Sequence, residues 1–181
     1  MKYSFYFLLL FSTITTSQAQ ILKIEDFGAV ANSGKLNTTY IQAAIDSAEK
    51  IGGATVLIPK GVFMSSTIFL KDNITLEIAL GGTLKGADKT KQYPEIKTTT
   101  IRSFGDTYPQ RSLIFAEGKH NITLKGEGTI DGNGLALDFL INKDDKPFGI
   151  RFISCTNVLY EGLTLKNSGF WMMHNLNCDS V

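Results

Sequence analysis

A repeat of short β-forming segments limits the fold of this chain more than any other feature of the sequence. Asn-Ile-Thr-Leu at 73–76 recurs at 121–124, and a looser copy, Asn-Val-Leu-Tyr, stands at 157–160. Each copy is followed within a few residues by glycine and by a further threonine-bearing segment. Repeats separated by insertions are typical of solenoids, in which equivalent side chains stack from coil to coil.

The segments 153–158 and 176–181, at the end of the chain, are related by a constant spacing of 23 residues. A spacing in the low twenties, with strands and no helix, fits one coil of a β-solenoid. Two strands of an ordinary sandwich that resemble each other are the alternative. The matched pairs are Ile153 and Leu176, Cys155 and Cys178, Asn157 and Ser180, and Val158 and Val181.

One segment near the amino terminus has the pattern of an amphipathic helix, which we predict from Thr39 to Ile51. Thr39 and Gln42 fit a capping box, and the glycines at 52 and 53 fit a helix stop, because glycine adopts the left-handed conformation without a Cβ clash. We expect this helix to cover the otherwise open end of the solenoid. Its apolar face consists of Ile41, Ala44, Ile45 and Ala48.

After this helix the sequence changes to short apolar or β-branched runs, which are separated by Pro59, Lys60-Gly61, Lys71-Asp72 and Gly81-Gly82. Punctuation of this kind predicts a succession of short strands with tight corners. The predicted strands are 54–58, 67–70, 73–79 and 122–124.

The segment at 1–19 has the composition of an export signal, with Lys2 before an apolar run and small residues before Gln20. We predict a signal peptide at 1–19 and a mature chain at 20–181 that is secreted or periplasmic. No segment reaches the roughly 18 apolar residues of a membrane span. The formal net charge of +1 argues against nucleic acid as a partner, and 43% hydrophobic with 19% charged residues is a globular composition.

The cysteine, histidine and glycine positions indicate no cofactor. His120, His174, Cys155 and Cys178 lack the spacing of a metal site. The glycine-rich run at 126–134 lacks the flanking strand and helix and the Lys-Ser/Thr ending of a phosphate-binding loop. We expect Cys155 and Cys178 to stack one coil apart as small buried thiols, although their spacing is also compatible with a disulfide.

A set of motifs covers nearly all of the mature chain. They are Asp-Phe-Gly-Ala-Val at 26–30, Ile-Gln-Ala-Ala-Ile-Asp at 41–46, Gly-Gly-Ala-Thr-Val at 52–56, Gly-Glu-Gly-Thr-Ile-Asp-Gly at 126–132, Arg-Phe-Ile-Ser-Cys-Thr-Asn-Val at 151–158, and Asn-Ser-Gly-Phe-Trp-Met-Met-His at 167–174. The opening motifs are shared among several β-helix families. The later ones are more specific and resemble glycoside hydrolase family 28, the polygalacturonases.

This resemblance implies an all-β, right-handed parallel β-helix with a short capping helix, of which 20–181 forms the amino-terminal part of one catalytic domain. It implies hydrolysis of α-1,4-galacturonosyl linkages with inversion, in a monomer without a cofactor, on pectin, polygalacturonate or rhamnogalacturonan. The family's Asn-Thr-Asp, paired-aspartate, Gly-His-Gly and Arg-Ile-Lys motifs have no counterpart in this chain. We therefore expect the catalytic aspartates beyond Val181, and no activity from this chain alone.

Two other functions share the same helix cap and coils. A β-helix pectate lyase would use β-elimination, often with calcium, and a non-catalytic β-helix would only bind glycan. Paired aspartates downstream favour the hydrolase, whereas calcium-binding acids with an arginine base favour the lyase. The absence of both sets favours the binding module.

The acidic and aromatic candidates have separate expected roles. Asp131, before Gly132, is expected to form a turn rather than to act as a catalytic acid. The Asp144-Asp145 pair is expected at a solvated loop tip. We assign His174 to substrate binding, and we expect Trp171 to pack in the core, with stacking on a sugar ring as the alternative.

The segment 86–111 is long and polar and carries more lysine and arginine than acid. Long loops in compact domains are often functional, and a local excess of cations would suit a polyuronate. A solvated insertion is the simpler interpretation of this segment.

Overall fold

Short strands in three parallel sheets form the framework of the computed structural model, which describes residues 20–99, 109–141 and 145–181. The predicted signal peptide at 1–19 lies outside these residues. The strands are β1 Ile21–Lys23, β2 Ala54–Ile58, β3 Gly61–Ser65, β4 Ile68–Phe69, β5 Ile74–Ile78, β6 Gly82–Gly86, β7 Ser112–Glu117, β8 His120–Gly126, β9 Thr129–Asp131, β10 Phe148–Ile153, β11 Thr156–Glu161, β12 Thr164–Lys166 and β13 Met173–Leu176.

The chain visits the three sheets in turn, once per coil. Sheet A has the order β1-β2-β5-β8-β11, sheet B the order β3-β6-β9-β12, and sheet C the order β4-β7-β10-β13. Each strand therefore pairs with its equivalents in neighbouring coils, and crossovers between parallel strands are right-handed as a rule. The predicted fold, a right-handed parallel β-helix, is confirmed.

The inward side chains of successive coils form columns of aliphatic residues. Val56, Leu76 and Leu124 occupy equivalent positions in sheet A and are fully buried. Ile114 and Ile150 do the same in sheet C. Because each buried aliphatic side chain contributes about 1.5–3 kcal/mol, these columns are the main stabilising feature of the stack.

The asparagines of the sequence repeat form a ladder at the corner between sheets C and A. Asn73, Asn121 and Asn157 have left-handed backbones, with φ of 60°, 55° and 54°. The Asn121 Nδ2 donates to the Asn73 Oδ1, and the Asn157 Nδ2 donates to the Asn121 Oδ1, both at 2.7 Å. The repeat is therefore a true structural repeat, and pairing of Ile153 with Leu176 confirms the spacing of 23 residues.

The predicted amino-terminal helix is present as α1, Thr38–Lys50, one residue earlier at each end. It packs against β2, β4 and the short 3-10 turn Ile24–Phe27, so it covers the amino-terminal end of the stack as predicted. The glycines at 52 and 53 have positive φ and end the helix. The fully buried residues of its apolar face are Ile41, Ala44, Ile45 and Ala48.

The capping box predicted at the start of α1 is wrong. Its N-cap is Asn37, whose side chain bonds the preceding loop: Oδ1 accepts from the Val30 N–H at 2.8 Å, and Nδ2 donates to the Lys35 carbonyl at 3.2 Å. The Gln42 amide reaches instead to the backbone N–H and carbonyl of Phe69, at 2.8 and 3.1 Å. Gln42 thus provides hydrogen-bond partners for backbone groups at the free edge of β4.

The corners between sheets A and B differ in length from the corners between sheets B and C. Between sheets A and B the corners are 59–60, 79–81, 127–128 and 162–163. Between sheets B and C they are 66–67, 87–111, 132–147 and 167–172. Both long insertions thus leave the stack from the same corner. The first contains a 3-10 turn, Thr90–Gln92, and the second contains α2, Leu137–Ile141.

The two cysteines are free thiols at equivalent positions of successive coils. Cys155 is fully buried and Cys178 is half-buried. The Thr156–Asp179 bridge beside them confirms the predicted stacking, one coil apart. Burial raises the pKa of the Cys155 thiol.

Candidate functional site

The outer surface of sheet C carries aromatic and cationic side chains at equivalent positions of four coils. Phe69 pairs with Phe115, Phe115 with Arg151, and Arg151 with His174. The Phe69 and Phe115 rings meet edge to face, with centroids 5.9 Å apart. Because alternate residues of a strand point to opposite faces, these side chains lie outside the core that Ile68, Ile114 and Ile150 fill.

His174, assigned to substrate binding from the sequence, lies inside an aromatic cluster on this surface. Its ring stacks on Phe148 at 5.0 Å and 13°, and it meets Trp171 edge to face at 5.5 Å. Only 7% of His174 is exposed. The expectation that Trp171 packs in the core is wrong, because this residue is 43% exposed and stacks on Phe170 at 5.4 Å.

Arg151 is the functional candidate that sequence reasoning missed. It is 4% exposed, its guanidinium lies 5.1 Å from the centre of the Phe148 ring, and its Nη1 donates to the Pro109 carbonyl at 3.3 Å. Within the described part of the chain, the buried Nε has no hydrogen-bond partner. Burial lowers the pKa of Arg151, and the Glu117 carboxylate opposes this shift. A lone arginine inside an otherwise apolar strand was the available signal.

The first insertion packs against one edge of the same surface. Ile96 packs against Phe115 and Ile153. The N–H and hydroxyl of Thr99 both donate to the Glu117 Oε1, at 2.8 and 2.6 Å. The insertion therefore forms a wall along the edge of the sheet C surface where the strands end.

Arg111 joins the two insertions. Its Nη2 lies 2.9 Å from the Glu95 carboxylate, its Nε lies 2.8 Å from the Asp145 carboxylate, and its Nη1 donates to the Tyr93 carbonyl. One of the cations in the predicted excess at 86–111 is therefore already paired with carboxylates inside the structure. Arg102 and Asp106 of that segment lie outside the described residues.

The chain has relatives both in sequence and in structure, although no protein-family model matches it. An exo-poly-α-D-galacturonosidase from Dickeya chrysanthemi is 34% identical over 131 residues, which are 68% of this chain and 21% of that protein. A probable polygalacturonase from Vitis vinifera is 29% identical over 170 residues, 87% of this chain and 34% of that protein.

Among solved structures, the family 28 exopolygalacturonase of Yersinia enterocolitica superposes with a TM-score of 0.78 and 25% identity, covering 91% of this chain and 37% of that one. The chain is related to the family 28 polygalacturonases. The resemblance inferred from the sequence motifs is thereby confirmed. The chain spans about a fifth to a third of the length of its curated polygalacturonase relatives.

A family 28 polygalacturonase needs carboxylates, and the two acidic candidates that the structure describes, Asp131 and Asp145, have other roles. The Asp131 Oδ1 accepts from the Asn133 N–H at 2.9 Å, which is the turn predicted from the sequence. Asp144 lies outside the described residues. Asp145 lies in the loop before β10, as predicted; its side chain is 44% exposed and also binds Arg111.

The glycine-rich motif that helped to indicate this family is structural. Gly126 has φ of 120°, and a Cβ at this position would collide with the carbonyl of Ile78 in the preceding coil. A Cβ on Gly132 would lie 2.8 Å from the backbone of Ser168 in the following coil. Glycine thus permits neighbouring corners to stack at close distance.

The described residues also bear on metals and membranes. No three of their histidine, cysteine and acidic side chains gather in a group that could hold a metal ion. Across 20–99, 109–141 and 145–181, no helix is long and apolar enough to cross a bilayer.

Proposed function

We propose that this protein is a pectin-degrading glycoside hydrolase that cleaves α-1,4-linked galacturonate with inversion. The observation that carries the proposal is the agreement of two comparisons: polygalacturonases match the sequence over 87% of the chain and the fold over 91%. Polygalacturonate, pectin and rhamnogalacturonan are the candidate substrates. We further propose that the protein acts as a monomer.

The outer surface of sheet C is the proposed floor of the substrate cleft. Trp171 offers an exposed ring on which a sugar can stack, and Arg151, buried against Phe148, supplies positive charge to the cleft floor that favours a uronate carboxylate. An inverting glycosidase also needs two carboxyl groups about 6.5–9.5 Å apart. Since the chain spans a fifth to a third of its curated relatives, we propose that these groups come from the rest of the enzyme.

His174, on β13, the last strand of sheet C, is proposed to bind the substrate through the part of its ring that reaches the surface. Replacing His174 with alanine should raise KM for oligogalacturonate and lower kcat less, because a binding contact would be lost. The control is His120→Ala, since His120 lies on sheet A and pairs with Asp72 at 2.9 Å. An equal effect of both variants would contradict the assignment.

The wall formed by the first insertion supports cleavage from a chain end. We infer that Ile96 and Thr99, which contact sheet C near the ends of its strands, limit how far a polymer on this surface can extend. The Dickeya and Yersinia relatives are named for exo action. Early products from polygalacturonate should therefore be short, with a slow fall in viscosity, and early products of mixed length would contradict this mode.

One experiment separates the three candidate functions. The complete enzyme is incubated with polygalacturonate, and the products are followed by reducing-sugar release and proton NMR. Hydrolysis with inversion gives saturated products that first appear as the β-anomer. An unsaturated product that requires calcium would identify a lyase, and binding without any product would identify a glycan-binding module.

Export is proposed from the segment at 1–19. Expression with this segment should place the protein outside the cytoplasm. Amino-terminal sequencing of the exported protein should then begin at Gln20, whereas retention with an intact Met1 would contradict the signal peptide.

A further inference from the structure

A second cleft lies between the two insertions, beside sheet B and away from the aromatic cluster of sheet C. We call it the corner cleft; it has a volume of about 570 Å³ and is lined by Lys85, Lys89, Asn133, Leu137, Asp138 and Ile141 among others. Small-molecule sites usually measure about 300–1,000 Å³. The corner cleft is thus large enough for a short oligosaccharide.

Two cations line the corner cleft. Lys85, half-buried on β6, and Lys89, exposed on the first insertion, both line it. Within the described part of the chain, neither ammonium group lies within 4.0 Å of a carboxylate. Asp88 and Asp138 also belong to the lining: Asp138 accepts a hydrogen bond from the Thr90 N–H at 2.7 Å, and Asp88 is exposed. The ammonium groups are available to an incoming anion.

Apolar and polar groups complete the lining in a combination that suits a sugar. Leu137 and Ile141 are 72% and 71% exposed, and such apolar side chains can cover the C–H face of a pyranose ring. Asn133 donates its Nδ2 to the Gly86 carbonyl at 3.1 Å, which fixes the side chain and directs Oδ1 to accept from another group. Sugar hydroxyl groups donate such hydrogen bonds.

The two sides of the corner cleft are held together before any ligand binds. The Tyr93 and Phe139 rings pack at 6.3 Å, and the Tyr93 hydroxyl donates to the Ala87 carbonyl at 3.1 Å. The hydrogen bond from Thr90 to Asp138 connects the first insertion directly to α2. A cleft that is already formed loses less entropy on binding.

We propose that the corner cleft is a second binding site for an acidic oligosaccharide, in which Lys85 and Lys89 bind carboxylates. The identity of the sugar as polygalacturonate rests on the proposed function. The site holds polymer beside the enzyme and takes no part in bond cleavage. The ion pairs between these lysines and the ligand's carboxylates would be exposed to solvent, so binding should weaken as the salt concentration rises.

The test is binding of the complete enzyme to immobilised polygalacturonate, at several salt concentrations, with fully methyl-esterified polymer as the uncharged comparison. A Lys85→Ala, Lys89→Ala double variant should bind the acidic polymer about tenfold more weakly, because two exposed ion pairs with the polymer would be lost. Its hydrolysis of a soluble galacturonate trimer should be unchanged. The matched control removes two exposed lysines elsewhere, Lys23→Ala with Lys35→Ala.

Unchanged binding in the double variant, an equal loss in the control, or equal binding of esterified and acidic polymer would each overturn the proposal. Thermal unfolding followed by circular dichroism verifies that both variants are folded. If the wild-type enzyme hydrolyses no pectic polymer while the double variant alone loses binding, the proposed function fails and the corner cleft stands. If the enzyme hydrolyses pectic polymer and the double variant binds it normally, the corner cleft fails and the proposed function stands.

Discussion

The A-to-B corners and the B-to-C corners of this solenoid follow different rules. The A-to-B corners hold two or three residues in every coil, whereas the B-to-C corners range from 66–67 to the long 87–111 segment. At the start of the A-to-B corner, Gly126, the last residue of β8, brings its backbone against Ile78 of the preceding coil. In the B-to-C corner, the long segments turn outward and contact each other through Arg111.

This difference separates stability from recognition. In the A-to-B corner, close backbone stacking is combined with a length of two or three residues in every coil, so this corner fixes the distance between coils; in the B-to-C corner, Gly132 stacks closely but the insertion follows it. The B-to-C corner is free to lengthen, and its insertions provide both the wall on sheet C and the corner cleft. Loops on a rigid scaffold commonly carry binding residues for this reason.

The largest effect is expected at the A-to-B corner. Gly126→Ala should lower the free energy of unfolding by at least about 3 kcal/mol, because the Cβ meets the Ile78 carbonyl at a φ of 120° that alanine rarely adopts. Urea unfolding followed by circular dichroism measures this. The control is Gly118→Ala, with φ of 62° and open space around the Cβ, which should cost about 1 kcal/mol. Equal losses would show that close stacking is not the cause.

A somewhat smaller loss in the free energy of unfolding is expected at the amino-terminal end of the stack, which α1 covers and on which both kinds of corner depend. Ile45→Asp should cost at least about 2 kcal/mol, because a charge would be buried under α1 without a partner. Ser47→Asp on the same helix is half-buried and should change stability by less than about 1 kcal/mol. A neutral result for Ile45→Asp in chemical denaturation would contradict the capping role of α1.

The B-to-C corner should tolerate much more. Arg111→Ala should lower global stability by about 1 kcal/mol, because its acidic partners are largely exposed, but it should speed protease cleavage within 87–111. Lys97→Ala, an exposed position in the same insertion, should change neither quantity. If Arg111→Ala instead unfolded the whole protein, the B-to-C corner would matter as much for stability as the A-to-B corner.

The smallest effect concerns the cysteines, where we expect a chemical difference without a change in stability. Thiol titration after unfolding without reductant should count two free thiols. In the folded protein Cys155 should alkylate more slowly than Cys178, because burial raises its pKa and so lowers its thiolate fraction at any given pH below that pKa. A count of zero free thiols would show that the two form a disulfide.

The features that sequence predicted well are those that repeat or have a strong period. The apolar face of α1 follows from helical spacing, and the strand predicted at 54–58 matches β2 at both ends. Stacking of Cys155 and Cys178 follows from one constant spacing. These patterns succeed because each coil buries the same positions against the next coil.

The features that sequence missed depend on contacts between distant segments. The short helix α2 was not predicted, because it has five residues and packs through Phe139 on Tyr93 of the other insertion. Thr39 was assigned as a helix cap, although the helix begins one residue earlier and Asn37 bonds the preceding loop. Arg111 gave no local sign that it would bind acids of both insertions.

The asparagine ladder has a consequence for how such a protein can evolve. Asn73 and Asn121 are 48 residues apart, and Asn121 and Asn157 are 36 apart, yet both neighbouring pairs make the same 2.7 Å bond. The ladder fixes the register of one coil on the next, whatever the number of residues between them. Genetic insertions at the B-to-C corner can therefore diversify recognition while each new turn still aligns with the last.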